Sequence, residues 1–224
     1  MNDATLRSLL QAELTRSSVE LPEGAIDRLL LHARLLQKWN KAVRLVGSTD
    51  PEEIVRRHIM ESLALVPFIH EPRGGLIDIG TGNGYPAIPL KCALPDLRLA
   101  MMEPTMRKAV FLRTVAADLQ LTDATVLRDR VDRPADLARY GKWDCITMRA
   151  VAAIPAIMAG APAALRPGGR LLFMVGESGR DQVLRGLRGE LAVLGEVRFQ
   201  GMRASHLVVV GLPGPTHPIS DTVH

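Results

Sequence analysis

From Gly75 onward the chain alternates short apolar runs with stretches at helical spacing, and this alternation leaves few folds open. GLIDIG (75–80), LRLAMME (97–103), ATVLRDR (124–130), WDCITM (143–148) and RLLFMV (170–175) read as strands. Helices fall between them near 86–94, 105–121, 134–140 and 154–165. Apolar strands separated by helices build a parallel sheet covered on both faces. The end of the chain breaks the pattern. A helix over 181–194 precedes GEVRFQGM (195–202) and HLVVVGL (206–212), and so short a connection permits only an antiparallel hairpin. The expectation is an α/β fold with a seven-stranded, mostly parallel sheet.

Residues 1–74 read differently, as a small helical lobe. Leu6, Leu9, Leu10 and Leu14 recur at helical spacing, and so do Ile26, Leu29, Leu30, Ala33, Leu36 and Trp39. A third helix has a strong start signal: Asp50 as N-cap, Pro51 at the first helical position and Glu53 where a capping box needs an acid. Glu71-Pro72-Arg73-Gly74-Gly75 ends that helical region. The main domain is expected over 75–212, followed by a loose tail over 213–224.

Composition excludes several classes. Two cysteines, Cys92 and Cys145, are too few for a disulfide framework or a cysteine-rich zinc site, and their apolar surroundings suit buried, reduced thiols. No ligand-spaced cluster of His and acids suggests a metal. The first 20 residues lack the apolar core of a signal peptide, and the stretch from Ala150 to Leu165 is too short to span a bilayer. A cytoplasmic protein is expected. The net charge of +4, from 28 cations against 24 anions, permits a polyanionic partner without requiring one.

The candidate chemistry sits directly after the first strand. Asp78-Ile79-Gly80-Thr81-Gly82-Asn83-Gly84 closes that strand and opens a helix, a place where glycines let the backbone approach a ligand closely. The spacing is G-x-G-x-G. A dinucleotide fingerprint would require glycine at position 85, which is Tyr85, and no G-K-[ST] of a phosphate-binding loop follows. Glu103 ends the second strand, nineteen residues past Gly84, where a carboxylate can accept both hydroxyls of an adenosine ribose. After the third strand, Val131 and Asp132 could hold adenine through an apolar contact and an acceptor.

This order of elements resembles the class I S-adenosylmethionine-dependent methyltransferases, a Rossmann-like fold. Five blocks narrow the resemblance: Trp39-Asn40-Lys41, Arg57-His58-Ile59-Met60-Glu61-Ser62-Leu63, DIGTGNGYPAIPLK (78–91), Arg107-Lys108-Ala109-Val110-Phe111-Leu112 and Met148-Arg149-Ala150-Val151. All are similar to the RsmG (GidB) family, whose members methylate N7 of one guanine in 16S ribosomal RNA. The resemblance spans about residues 25 to 210. It implies S-adenosyl-L-methionine as cofactor and 16S rRNA or the small ribosomal subunit as partner. Cofactor contacts carry over to Gly80, Tyr85, Val131, Asp132 and Arg149, with Asp78, Gly82, Gly84 and Glu103 from the general methyltransferase pattern. Arg149 is the catalytic candidate, and its loss is expected to abolish turnover with little change in stability. Its bland alternative is a structural pair with an acid such as Asp144. For RNA the candidates are Arg57, His58, Lys91, Arg107 and Lys108. Departures at Arg44, Pro104, Met148, Val175 and Gly211-Leu212-Pro213 keep open a relative methylating a nitrogen on a small molecule or peptide, and the other alternative is a non-catalytic RNA-binding protein that uses the cofactor as a structural ligand. A monomer is favoured.

Overall fold

The computed structural model describes residues 3–42, 45, 47–149, 152–199 and 206–212. The expectations for Arg44 and for the tail over 213–224 lie outside the described residues. Helices α1 (Asp3–Arg16) and α2 (Ala25–Asn40) come first. A third helix, α3, winds as a π-helix over Glu53–Met60 and closes as an α-helical turn over Glu61–Leu63. Its start carries half of the expected capping box. The Asp50 carboxylate accepts the Glu53 N–H at 3.1 Å, while the Glu53 side chain pairs with Arg57 at 3.4 Å instead of reaching back.

Seven strands follow: β1 (Gly75–Ile79), β2 (Arg98–Met102), β3 (Ala124–Leu127), β4 (Trp143–Arg149), β5 (Leu165–Val175), β6 (Ala192–Arg198) and β7 (His206–Gly211). They form one sheet in the order β3-β2-β1-β4-β5-β7-β6, in which β7 runs antiparallel to both of its neighbours. The expected α/β sheet with a C-terminal hairpin is therefore present, and β7 inserts between β5 and β6. Helices α4 (Ala87–Ala93), α5 (Met106–Asp118), α6 (Pro134–Ala138), α7 (Ile154–Ala164) and α8 (Glu177–Gly186) connect the strands.

Both sheet faces are covered, which explains the apolar character of the strands. Leu76, Leu99, Met101, Leu172, Met174, Leu207 and Val209 share one core with Leu10, Leu29, Ile54, Ile88 and Phe111 from α1 to α5. Ile77, Met102, Ile146, Leu171, Phe173 and Val208 share the other with Leu137, Ile157 and Val183 from α6 to α8. Each fully buried side chain of this size contributes about 2 kcal/mol. Cys92 and Cys145 are buried free thiols, and burial pushes Cys92 up to about 12.

Several boundaries differ from the sequence reading. Strand β5 begins at Leu165, which pairs with Trp143; the register then jumps to Cys145 opposite Arg170, so 166–169 bulge out of the ladder. The last helix occupies Glu177–Gly186 instead of 181–194, because Ala192 and Val193 already pair with Gly211 and Val210. Strand β3 stops at Leu127, so Arg128 to Arg130 belong to a loop.

Strand β1 lies between β2 and β4, so the chain winds outward from it in both directions. The connections diverge above its carboxyl end. In open α/β sheets that crevice is where ligands bind.

Candidate functional site

A cavity of about 720 Å³ opens at the carboxyl ends of β1, β4 and β5. That volume suits a ligand the size of a nucleoside derivative. Gly80, Gly82, Tyr85, Arg149 and His58, all expected from the sequence, share its wall with Glu53, Val175 and Gln182.

Each wall element is held from behind. Gly80 and Gly82 adopt φ of 69° and 61°, the left-handed region, so the loop turns without Cβ strain. A Cβ on Gly82 would meet nothing closer than the Gly80 carbonyl at 3.8 Å, so this backbone is open to close approach by a ligand. Glu103 fixes the loop from β2. It is 4% exposed, and its two carboxylate oxygens accept the N–H groups of Gly82 at 3.1 Å and Thr105 at 2.8 Å. Gly84 serves packing instead. At φ 94°, a Cβ there would lie 2.3 Å from Ile88 Cδ1 and 3.3 Å from His32 Nε2. Gly84→Ala is expected to cost about 2 kcal/mol, read as a lower midpoint in chemical denaturation. An unchanged midpoint would contradict this packing.

Asp78 lies fully buried beneath the loop, where its Oδ1 accepts the Thr147 hydroxyl at 2.8 Å. Burial raises its pKa to about 7. Tyr85 is sandwiched between two imidazoles, with His32 at 4.6 Å and His58 at 4.9 Å between ring centroids. The His32 ring also contacts the Asn83 carbonyl through Nε2 at 2.9 Å. Burial lowers both histidines to about 4, so both rings are neutral near pH 7.

These three groups give a signed pH dependence. Between about pH 4 and 6.5, unfolding takes up a proton on each histidine and releases one from Asp78. Stability therefore rises with pH by the balance, about one proton or 1.4 kcal/mol per pH unit from these groups. Asp78→Asn removes the opposing proton and is expected to make that rise steeper by about as much again. Parallel curves for wild type and variant would contradict the assignment.

Arg149, at the end of β4, is tied to the helical region. Its Nη2 lies 2.8 Å from Glu61 Oε2 and donates to the Arg57 carbonyl at 2.8 Å. Glu61 is fully buried, and the Arg149 side chain is 14% exposed. Asp144 is not its partner; that carboxylate accepts the Gly75 N–H at 2.7 Å. Glu61 falls within the Arg57–Leu63 stretch, but its role as counter-ion could not be assigned from the sequence.

The other expected positions lie outside this cavity. Val131 packs in the core against α6 and α7, and Asp132 is exposed and paired with Arg130 at 2.6 Å. Lys91 is corrected as an RNA contact. It is 2% exposed, and its ammonium donates to the carbonyls of Pro95 at 2.7 Å and Leu97 at 2.5 Å. His58 lies in the cavity wall with its ring stacked on Tyr85. Arg57 is half exposed beside Glu53, while Arg107 and Lys108 stand on the first turn of α5. Among the described residues, no group of three His, Cys, Asp or Glu side chains could hold a metal ion, and no helix is long and apolar enough to cross a membrane.

Sheet order and crevice together define the fold as that of a class I methyltransferase. The O-methyltransferase from Bacillus cereus, solved in complex with SAH, superimposes with a TM-score of 0.63 at 16% identity, covering 93% of this chain and 100% of that one. TrmN from Thermus thermophilus gives 0.56 at 20% identity over 68% of this chain and 48% of its own. Residues 25–200 match the family model described as rRNA small subunit methyltransferase G, GidB. The ribosomal RNA small subunit methyltransferase G of Xanthomonas axonopodis pv. citri is 37% identical over 216 residues, 94% of this chain and 99% of the relative. That of Desulfitobacterium hafniense is 35% identical over 189 residues, 83% and 78% of the two chains. The chain belongs to the rRNA small subunit methyltransferase G family.

Proposed function

We propose that this protein transfers a methyl group from S-adenosyl-L-methionine to N7 of one guanine in 16S rRNA, in the cytoplasm. Residues 75–212 act as the cofactor-binding unit and 1–74 as the lobe that closes its acceptor side. The observation that carries this reading is the single cavity in which the glycine loop, held by Glu103, faces Arg149, held by Glu61.

The residues present fit the cofactor. Each Glu103 oxygen takes one N–H and keeps lone pairs for the hydroxyls of a ribose. Gly80 and Gly82 leave the backbone open to the ligand. Arg149 presents a planar guanidinium at the cavity wall, suited to a carboxylate or to the acceptor edge of a base. When bound, the cofactor supplies an electrophilic methyl carbon on a sulfonium. Guanine N7 offers an in-plane lone pair and carries no proton, so no side chain has to act as a base. The protein's task is then to align the reactants, which can supply about 7–11 kcal/mol of the barrier reduction. His58 matches that division of labour, since its neutral ring is engaged with Tyr85.

The test is methyl transfer from labelled S-adenosylmethionine to small ribosomal subunits from cells lacking this gene, with the product base mapped. A single N7-methylguanine is expected. No incorporation by a protein that binds the cofactor would overturn the acceptor.

A further inference from the structure

A second concavity, about 600 Å³, lies beside the first. It is lined by Arg34, Gln37, Lys38 and Lys41 from α2 and its C-terminal end, facing Thr49 and Pro51. Arg34 and Lys38 stand one helical turn apart, and Lys41 follows three residues later, so all three cations address one groove. Among the described residues, no carboxylate belongs to its lining. The nearby Asp50 carboxylate is engaged in capping the Glu53 N–H.

This separates the groove from several other cationic positions, though not from Arg107 and Lys108, which also make no ion pair among the described residues. Arg56 is paired with Glu13 and Glu52, Arg57 with Glu53, and Arg130 with Asp132. Among the described residues, Lys38 and Lys41 make no ion pair, and both are exposed. Lysines in the last turn of a helix also offset its dipole. Arg34 stands one turn before Lys38 on the same face.

Consecutive residues of one segment border the groove and the first cavity. Gly47 and Ser48 line the first cavity and Thr49 lines the groove, with the segment pinned where the Gln37 side-chain amide donates to the Thr49 carbonyl at 3.1 Å. A chain with a base in the cavity can thus lay its neighbouring phosphates along α2.

We propose that this groove is the track for the phosphate backbone of the acceptor RNA next to the target base, with Lys38 and Lys41 as its principal phosphate contacts. The proposal rests on the rRNA reading above and names a surface for it. Phosphate neutralisation gives a salt dependence that counts the contacts, and the loss of two cations should reduce the slope of log affinity against log salt by about 1.4 for single-stranded RNA.

The experiment compares wild type, Lys38→Gln/Lys41→Gln and Lys38→Arg/Lys41→Arg, binding naked 16S rRNA and small subunits from cells lacking the gene across a salt series. The glutamine pair is expected to weaken binding to naked rRNA by about 10-fold at physiological salt. It should lower the slope, while the arginine pair stays near wild type and S-adenosylmethionine affinity is unchanged in all three. An unaltered slope with the glutamine pair would overturn the track. Weakened binding to subunits without weakened binding to naked rRNA would overturn it in favour of a ribosomal protein contact. Failure of the wild type itself to bind or methylate either substrate would instead strike the rRNA reading.

Discussion

Arg149→Ala is expected to abolish methyl transfer and also to destabilise the protein by about 3 kcal/mol. The second half departs from what the sequence suggested. Arg149 is the partner of a fully buried carboxylate, Glu61, and it donates to the Arg57 carbonyl on the same helix. Removing the guanidinium leaves that carboxylate buried without its charge partner, which is the costly way to break such a pair. The two roles separate in variants. Arg149→Met/Glu61→Leu removes both charges and should recover much of the stability while remaining inactive. Glu61→Gln keeps the arginine but loosens its hold, so turnover should fall while cofactor affinity changes less. Denaturation midpoints and turnover measured on the same preparations decide the matter. Full activity in Arg149→Ala would remove the residue from the site, and an unchanged midpoint would refute the buried pair.

Glu103→Gln is expected to weaken S-adenosylmethionine binding by about 100-fold. The carboxylate is an acceptor at both oxygens, and its present partners are the N–H groups of Gly82 and Thr105. An amide keeps only one acceptor atom and sets an NH₂ against a backbone N–H or a ribose hydroxyl. The change is nearly isosteric, so the fold should persist and the loss should appear in calorimetric titration. Unaltered affinity would confine Glu103 to a structural role.

Much of the architecture could be read from residue patterns because the central strands are buried on both faces. GLIDI and RLAMM have almost no polar alternation, and only a doubly covered sheet accommodates them. The positions of the glycine loop after β1 and of Glu103 after β2 were likewise readable, since they depend on local spacing along consecutive elements. Glu61 was not. Its partner lies 88 residues further along, and nothing local distinguishes a buried counter-ion from a helical surface acid. His32 did leave a signal, as the polar residue in the apolar face of α2 set by Leu29, Ala33 and Leu36. Lys91 misled because burial of a lysine depends on acceptors outside its helix, here the Pro95 and Leu97 carbonyls. The early start of β5 was hidden by the Pro167-Gly168-Gly169 bulge, which reads as the end of pairing although Leu165 has already joined β4.

In the proposed reaction, methyl transfer in this cavity proceeds by alignment alone, with no side chain removing a proton from the acceptor. The most direct test is the single-turnover rate of transfer to small ribosomal subunits as a function of pH. Asp78 titrates near 7 and His58 near 4, so the informative window lies above both. A level rate is expected from about pH 7.5 to 9. A tenfold rise for each pH unit would reveal a proton lost before transfer and contradict it.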